Sequence, residues 1–509
     1  MPNNTQAQSH RWLIFLAVSL VAIIINLDAT VINLALVTIA KVWQTSLSQL
    51  QWIVNIYMLM GVIFLTFSGR LADLIGRRVV YLIGIALFTI ASLIAGLAPN
   101  QWVLIAARGL QGLGFAFTIS LGIVIVTSVF PSHKRGFALG CYMTVAGLSQ
   151  ALGPTLGGVI LTYFSWRWIF IINVPLGLAA IGLILLFYPK DQKAYAQSLV
   201  DYVGVTWLGI GLLLWLLALN EFGEWGFKSH LLWSAMAIGA AFLVLFYQTE
   251  KRSKKPLIDF QLFRNQRYWV INLIRFFYTY SYLSILFCIP LYLQTINGYD
   301  PLQTGYVLFS MTFVFGILSP VTGLLLDRQG VEKPLKVAIL LTLIAFVLLF
   351  CLQPQVSLTL LLSGLIIFGL GMPIVGTGCA MMVTQTVPEK SLGVGMGILY
   401  MLAFLGASFG VAISGSLITL LGSHGLNQAA NAAHLTFSVD QWGMIKQIMS
   451  GARSTGSMIS YFKPNELQVF IPLFRHSFMN AFKIVIQINM LLMGISFLLS
   501  VVLIKKARG

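Results

Sequence analysis

Three charged residues stand where charge is expensive. Asp28 lies about 24 Å into the first long apolar stretch, Arg108 falls inside the fourth, and Arg275 inside the ninth. A carboxylate near mid-bilayer costs roughly 2.5 to 3.5 kcal/mol on insertion scales. Desolvation favours the neutral form of an acid, so Asp28 is able to load and release a proton as its access to water changes. A plain structural role, with Asp28 hydrogen-bonded to Thr30 or Asn33, stays open at this point. For Arg108 the alternative is pairing with carbonyls or snorkelling. Arg275, in Asn272-Leu-Ile-Arg275-Phe-Phe-Tyr278, would favour an anionic or zwitterionic substrate if it lines a central cavity. It stands only about 10 Å from the expected start of its helix, so snorkelling is an equal reading. No nucleophile and base arrangement, phosphate-binding loop or metal cluster is legible, and the four cysteines (Cys141, Cys288, Cys351, Cys379) show no paired spacing. The chemistry on offer is proton exchange. An enzyme, ATP drive and a cofactor are not expected.

The elements that must position these charges are membrane helices. Of 509 residues, 58% are hydrophobic and 9% charged, with a mean hydropathy of +0.89. A soluble domain carries about 25% charged residues, which excludes most soluble enzymes, and disorder needs the opposite composition. A spanning helix needs about 20 apolar residues. Fourteen such stretches run roughly 12–36, 50–69, 79–98, 102–126, 138–163, 168–188, 202–220, 230–249, 268–293, 303–326, 335–352, 356–383, 394–421 and 478–504. The first lacks a charged leader and is too long for a cleaved signal, so it is expected to remain as span 1. The 31 Lys and Arg against 14 Asp and Glu give a net charge of +17. With the N-terminus inside, roughly two-thirds of the basic residues fall on the cytoplasmic side, which places both termini there and accounts for the charge without nucleic acid.

An internal repeat divides the chain. Gly69-Arg-Leu-Ala-Asp73-Leu-Ile-Gly76-Arg77-Arg78 follows the second stretch, and Gly323-Leu-Leu-Leu-Asp327-Arg328-Gln-Gly330 follows the tenth with the same Gly, Asp and Gly spacing. The two align as second helices of two halves if 190–267 is an inserted helix pair. The expected architecture is an all-α polytopic membrane protein: a six-helix bundle over 1–189, the inserted pair over 190–267, and a second six-helix bundle over 268–509.

These residues carry a family resemblance. The Gly69 to Arg78 loop resembles the signature loop of the major facilitator superfamily, and fourteen spans with a central pair resemble its drug:proton antiporter branch. Leu27-Asp28-Ala-Thr30-Val31-Ile-Asn33 resembles that branch's first-helix motif, and Arg108-Gly109-Leu-Gln111-Gly112-Leu-Gly114 the fourth-helix motif. Gly147-Leu-Ser-Gln-Ala-Leu-Gly153-Pro154-Thr-Leu-Gly157-Gly158 resembles the fifth-helix motif of exporters, and Trp166-Arg167-Trp168-Ile-Phe170-Ile-Ile-Asn173-Val-Pro175-Leu-Gly177 the stretch after it. The resemblance implies the major facilitator fold and proton coupling through Asp28, with Arg108 tuning Asp28 or a nearby polar network. It also implies export, because the fifth-helix motif is seldom found in uptake relatives.

On physical grounds Gly153, Gly157 and Gly158 allow two backbones to approach closely, and Pro154 bends the helix, so the fifth span reads as a pivot. Asp73 with Arg77 and Arg78 reads as a latch across the halves, closed by an ion pair, with Asp327 and Arg328 as its degenerate counterpart. Topogenic charge is the simpler reading of the arginines. The residues nominated to line a drug-sized pocket are Asn33, Asn55, Tyr57, Gln111, Arg275, Tyr278, Tyr282, Tyr292 and Gln294, although most have the character of ordinary core groups. No acid stands in the thirteenth span, Gly393 to Leu421, which argues against dicationic substrates. The loop 422–477 contains an amphipathic stretch from Phe437 to Met449, expected as a lid or connector, with docking to a periplasmic adaptor as the alternative.

The leading expectation is a proton-coupled exporter of amphipathic drugs in a bacterial inner membrane, working by alternating access. A dedicated exporter of an endogenous anionic metabolite or siderophore, with Arg275 as counter-ion, is the second. A transporter-like sensor without coupled turnover is the third.

Overall fold

The computed structural model describes residues 10–43, 47–189, 202–220, 225, 229–252, 260–299, 301–432, 437–449 and 464–505, all helix, turn or coil, with no strand among them. In chain order the helices are α1 (Arg11–Trp43), α2 (Leu47–Ile75), α3 (Arg77–Gly96), α4 (Gln101–Val129), α5 (Arg135–Tyr163), α6 (Asn173–Phe187), α7 (Tyr202–Asn220) and α8 (His230–Arg252). They continue with α9 (Gln266–Leu291), α10 (Pro301–Gln329), α11 (Glu332–Phe350), α12 (Leu358–Thr386), α13 (Leu392–Ala432), α14 (Val439–Met449) and α15 (Pro464–Lys505). A one-turn helix, Trp168–Ile171, leads into α6. Among the described residues, eleven helices are long and apolar enough to cross a bilayer, or twelve with α2 taken as one bent span; α7 offers a shorter apolar run, Thr206–Trp215.

Local chemistry sets the breaks. The Asn100 side chain accepts the Val103 N–H at 3.1 Å to open α4, and Asn265 accepts the Arg267 N–H at 3.0 Å to open α9. Both satisfy donors that a helix N-terminus leaves free. Gly76 separates α2 from α3 at φ 103°, and Gly330 separates α10 from α11 at φ 74°. These are the repeat's matching glycines, and each supplies the left-handed backbone that a side chain makes costly. The repeat is therefore one of backbone geometry as well as of sequence.

The helices pack in two sets. In one, α1 lies on α5 and α6, and α4 on α2 and α3; in the other, α9 lies on α13 and α15, and α12 on α10 and α11. The sets meet where α5 packs on α10 and α2 on α13. The α7 and α8 pair folds on itself and leans through α7 on α2 and α13, at one of these seams.

The long loop is shorter than its polarity suggested. α13 continues past Leu421 to Ala432 and α15 begins at Pro464 rather than near 478. The segment Leu-Asn-Gln-Ala-Ala-Asn-Ala is polar yet helix-permissive, and nothing in it breaks the helix as it leaves the apolar zone. α14 lies in the remainder with Met444, Ile445, Ile448 and Met449 buried, packed on α13. Residues 450–463 lie outside the described part.

Candidate functional site

Asp28 on α1 and Arg108 on α4 form an ion pair, and each side chain is 0% exposed. Arg108 Nη1 donates both to Asp28 Oδ2 and, at 2.9 Å, to Gln111 Oε1. Its Nε donates to the Ile53 carbonyl on α2 at 3.0 Å. The guanidinium lies over the Tyr57 ring at 4.2 Å and 5.9 Å from that of Phe170. Gln111 Nε2 donates to Ser92 Oγ on α3 at 2.7 Å, and Asn173 Nδ2 on α6 reaches the same oxygen at 3.5 Å. A polar chain thus crosses the first helix set from α1 to α6. Asp28 Oδ1 and Arg108 Nη2 have no hydrogen-bond partner among the described residues.

The second set places rings where the first places this chain. Counted from the first residue of each helix, Tyr282, Phe346 and Phe368 fall within one residue of the depth of Asp28, Ser92 and Gln111. Tyr282 stacks on Phe368 at 6.4 Å, Tyr278 stacks on it at 5.6 Å, and Phe346 meets its edge at 5.9 Å. Among the described residues the fully buried ion pair therefore belongs to the first set.

A second site lies at the end of the molecule that carries the arginine-rich loops. Asp73, at the end of α2, accepts the backbone N–H groups of Gly393 and Val394, each at 3.3 Å. Asp327, at the end of α10, accepts those of Gly136 and Phe137 at 2.8 and 3.0 Å. Each carboxylate caps the N-terminus of a helix in the opposite set, where free N–H groups and the helix dipole favour an anion. The glycines make the approach close: a Cβ on Gly393 would stand 2.6 Å from the Gly69 carbonyl oxygen, and one on Gly136 would stand 2.5 Å from Asp327 Oδ1. Among the described residues both carboxylates accept from backbone N–H groups, and the charge of Arg77 acts on Asp73 from nearby. Arg77 does reach across, but to the Glu389 carbonyl at 3.0 Å, whereas Arg78 stays in its own set on the Leu185 carbonyl at 2.7 Å. Arg328 is exposed. Asp327 is no degenerate copy, since its bonds are the shorter. A cavity of about 210 Å³ bordered by Arg77, Arg135 and Glu389 remains at this seam, below the roughly 300 Å³ at which drug-sized sites begin.

Two pseudo-equivalent helix sets, one holding the buried ion pair, meet at a seam bridged by reciprocal caps. The Major Facilitator Superfamily profile matches residues 18–411. The chain belongs to the major facilitator superfamily. It is 32% identical over 413 residues to the multidrug resistance protein Stp of Mycobacterium tuberculosis, covering 80% of this chain and 75% of that protein. It is 29% identical over 409 residues to the riboflavin transporter RibZ of Clostridioides difficile, covering 80% and 88% respectively. Its fold matches that of the human organic anion transporter MFSD10 with a TM-score of 0.60 at 14% identity, over 97% of this chain and all of that one. A multi-pass transporter, not an enzyme, is what these likenesses show.

Within this superfamily fold, the fifth-helix glycines serve two contacts. Gly153 abuts Thr30, and a Cβ on Gly157 would come within 2.8 Å of Val31, so this end of α5 presses on α1 beside Asp28. Gly136 and Gly140, which the motif does not include, press instead on Gly323 and Ser319 of α10. The side chains of Asn33, Asn55, Pro154 and Gly158 lie outside the described residues.

The nominated pocket residues fare unevenly. Tyr57 and Gln111 are buried partners of Arg108. Tyr278 is buried in the aromatic stack, and Tyr292 is buried with its hydroxyl donating to the Gln353 carbonyl at 2.7 Å. None of these four offers surface to a ligand in this conformation. Tyr282, Gln294 and Arg275 are half-buried. Ser92 and Asn173 carry no pocket signal in the sequence, because an isolated Ser or Asn in a long apolar span has the look of a self-satisfied helix residue. Only the fold brings them beside Gln111.

Proposed function

We propose that this chain is a proton-coupled exporter of amphipathic small molecules that works by alternating access. The observation that carries the reading is the buried Asp28–Arg108 pair, in which one carboxylate oxygen has no partner among the described residues. A proton arriving at that oxygen cancels the charge that holds Arg108. The guanidinium then relies on Gln111, the Ile53 carbonyl and the Tyr57 ring, which ties proton loading to the packing of α1 on α4 and α5. The reciprocal caps of Asp73 and Asp327 hold one end closed, and their release opens it.

In this reading residues 1–189 and 268–509 are the rocking bundles, 190–267 is the inserted pair, and all fourteen apolar stretches span a bacterial cytoplasmic membrane. The arginine-rich end and both termini face the cytoplasm, and the proton gradient replaces any cofactor. Partners are the bilayer, protons and the exported compound, with no nucleic acid. The buried face of α14 on α13 favours a lid over a docking platform for a periplasmic adaptor. The likenesses to a multidrug resistance protein and a riboflavin transporter favour planar, partly polar substrates.

The test is substrate-driven proton flux in proteoliposomes, for the wild type and Asp28→Asn. Coupled flux that survives the substitution would remove Asp28 from the mechanism.

A further inference from the structure

Arg275 is left over by this mechanism. Its side chain has no ion pair and no hydrogen bond among the described residues, where the salt bridges are Arg108–Asp28 and Arg267–Glu332. It is half-buried on α9, with Nη1 3.7 Å from where a Cβ on Gly376 of α12 would stand. Arg275 is about 14 Å from the start of α9, and Gly376 about 15 Å from the end of α12 at the same face of the molecule. The guanidinium thus stays level with its own backbone, and snorkelling to the nearer edge does not describe it. Its charge acts on Tyr278, on Cys379 of α12 and on Tyr400 of α13. Tyr400 lies on α13, the helix that packs on α2 of the opposite set, so the group stands on a helix next to the seam.

A guanidinium inside a span pairs with an acid or carbonyls or faces a watery cavity, and among the described residues the second helix set supplies no acid to Arg275. The half-buried Tyr282, about two helical turns along α9, adds an aromatic face through its stack on Phe368. We propose that Arg275 is the recognition cation for an anionic head group, carboxylate, sulfonate or phosphate, on an amphipathic aromatic substrate. The assignment rests on the exporter reading for its physiological sense and narrows that reading to organic anions. An uncompensated positive site also disfavours cationic drugs by direct repulsion.

Two xanthene dyes of opposite charge test it: carboxyfluorescein and rhodamine 6G, with binding to the purified full-length chain followed by fluorescence polarisation at equal pH, then dye movement in proteoliposomes under a pH gradient. Arg275→Gln is expected to weaken carboxyfluorescein at least tenfold relative to rhodamine 6G, and Arg275→Lys to restore most of it. Gly376→Asp places a carboxylate beside the guanidinium and is expected to weaken the anion in the same direction. Equal anion binding by wild type and Arg275→Gln, proportional loss of both dyes, or an undiminished anion in Gly376→Asp each overturns the proposal. Arg275-dependent anion binding without gradient-driven movement supports this site and defeats the exporter reading. Gradient-driven movement of rhodamine 6G alone does the reverse.

Discussion

Asp28 and Arg108 face each other across α1 and α4 with no exposed side-chain surface, yet the contact leaves Asp28 Oδ1 and Arg108 Nη2 without partners among the described residues. A buried pair of this kind is weak as a source of stability, because desolvation offsets its attraction, while removing one partner alone costs about 3 to 5 kcal/mol. Such a pair is better suited to switching than to holding. Neutralising one member changes which contacts the other must make, and the alternatives are already in place at Gln111, Ile53 and Tyr57.

That asymmetry separates structure from coupling. Asp28→Asn leaves Arg108 charged and uncompensated, so the single variant is expected to lower the melting temperature in detergent. Adding Arg108→Gln removes the orphan charge and is expected to restore most of that loss. Neither variant is expected to couple substrate to proton flux. A double variant that melts below Asp28→Asn would show that the pair is not the origin of the destabilisation.

Much of this was legible in the sequence, and the gaps have physical causes. Every apolar stretch overlaps a helix, because hydropathy records burial in lipid or protein directly. The helix ends were underestimated where polar residues carry the helix beyond the apolar zone, as in α13 to Ala432. Asp28 and Arg108 stood out by type, but their pairing spans 80 residues of sequence and no local pattern encodes it. The caps were missed for a related reason: Asp73 and Asp327 bind backbone groups 320 and 191 residues away, and a backbone N–H has no residue type to read. The pocket residues misled because an aromatic side chain looks alike in a core and in a cavity.

The caps predict unequal gates. A helix cap is worth about 0.5 to 2 kcal/mol, and about 1.4 kcal/mol is a tenfold change in an equilibrium. Asp327→Asn is expected to shift the population toward the form open at this end severalfold, and Asp73→Asn less, since its bonds are longer. Alkylation rates of single cysteines introduced at Thr127 or Thr384, beside the seam cavity, measure the shift. Faster alkylation in Asp73→Asn than in Asp327→Asn would reverse the ranking.

The glycine contacts predict a steric lock. A Cβ on Gly323 would stand 2.5 Å from the Gly136 carbonyl carbon, and one on Gly393 would stand 2.6 Å from the Gly69 carbonyl oxygen. Backbone cannot yield as a flexible side chain does. Gly323→Val and Gly393→Val are therefore expected to insert and fold yet fail to close this end, with transport lost and seam cysteines constantly reactive. Gly182→Val and Gly494→Val, where nothing stands within 4 Å, serve as matched controls and are expected to transport normally. Transport in the seam variants at control rates would show that this closed end is no part of the cycle.

The single deep acid also fixes how membrane potential enters. If Asp28 carries one proton inward per cycle, exporting a monocation moves no net charge, exporting a neutral compound moves one, and exporting a monoanion moves two. Each charge is worth about 2.3 kcal/mol per 100 mV, roughly a fiftyfold change in the gradient that can be sustained. An interior-negative potassium diffusion potential should therefore leave monocation export unaffected and raise the limiting gradient of an anion by the square of the factor for a neutral analogue. Measured in proteoliposomes at fixed pH difference, a potential-dependent monocation would require a second titrating group. An anion no more responsive than its neutral ester would mean that a co-ion travels with it.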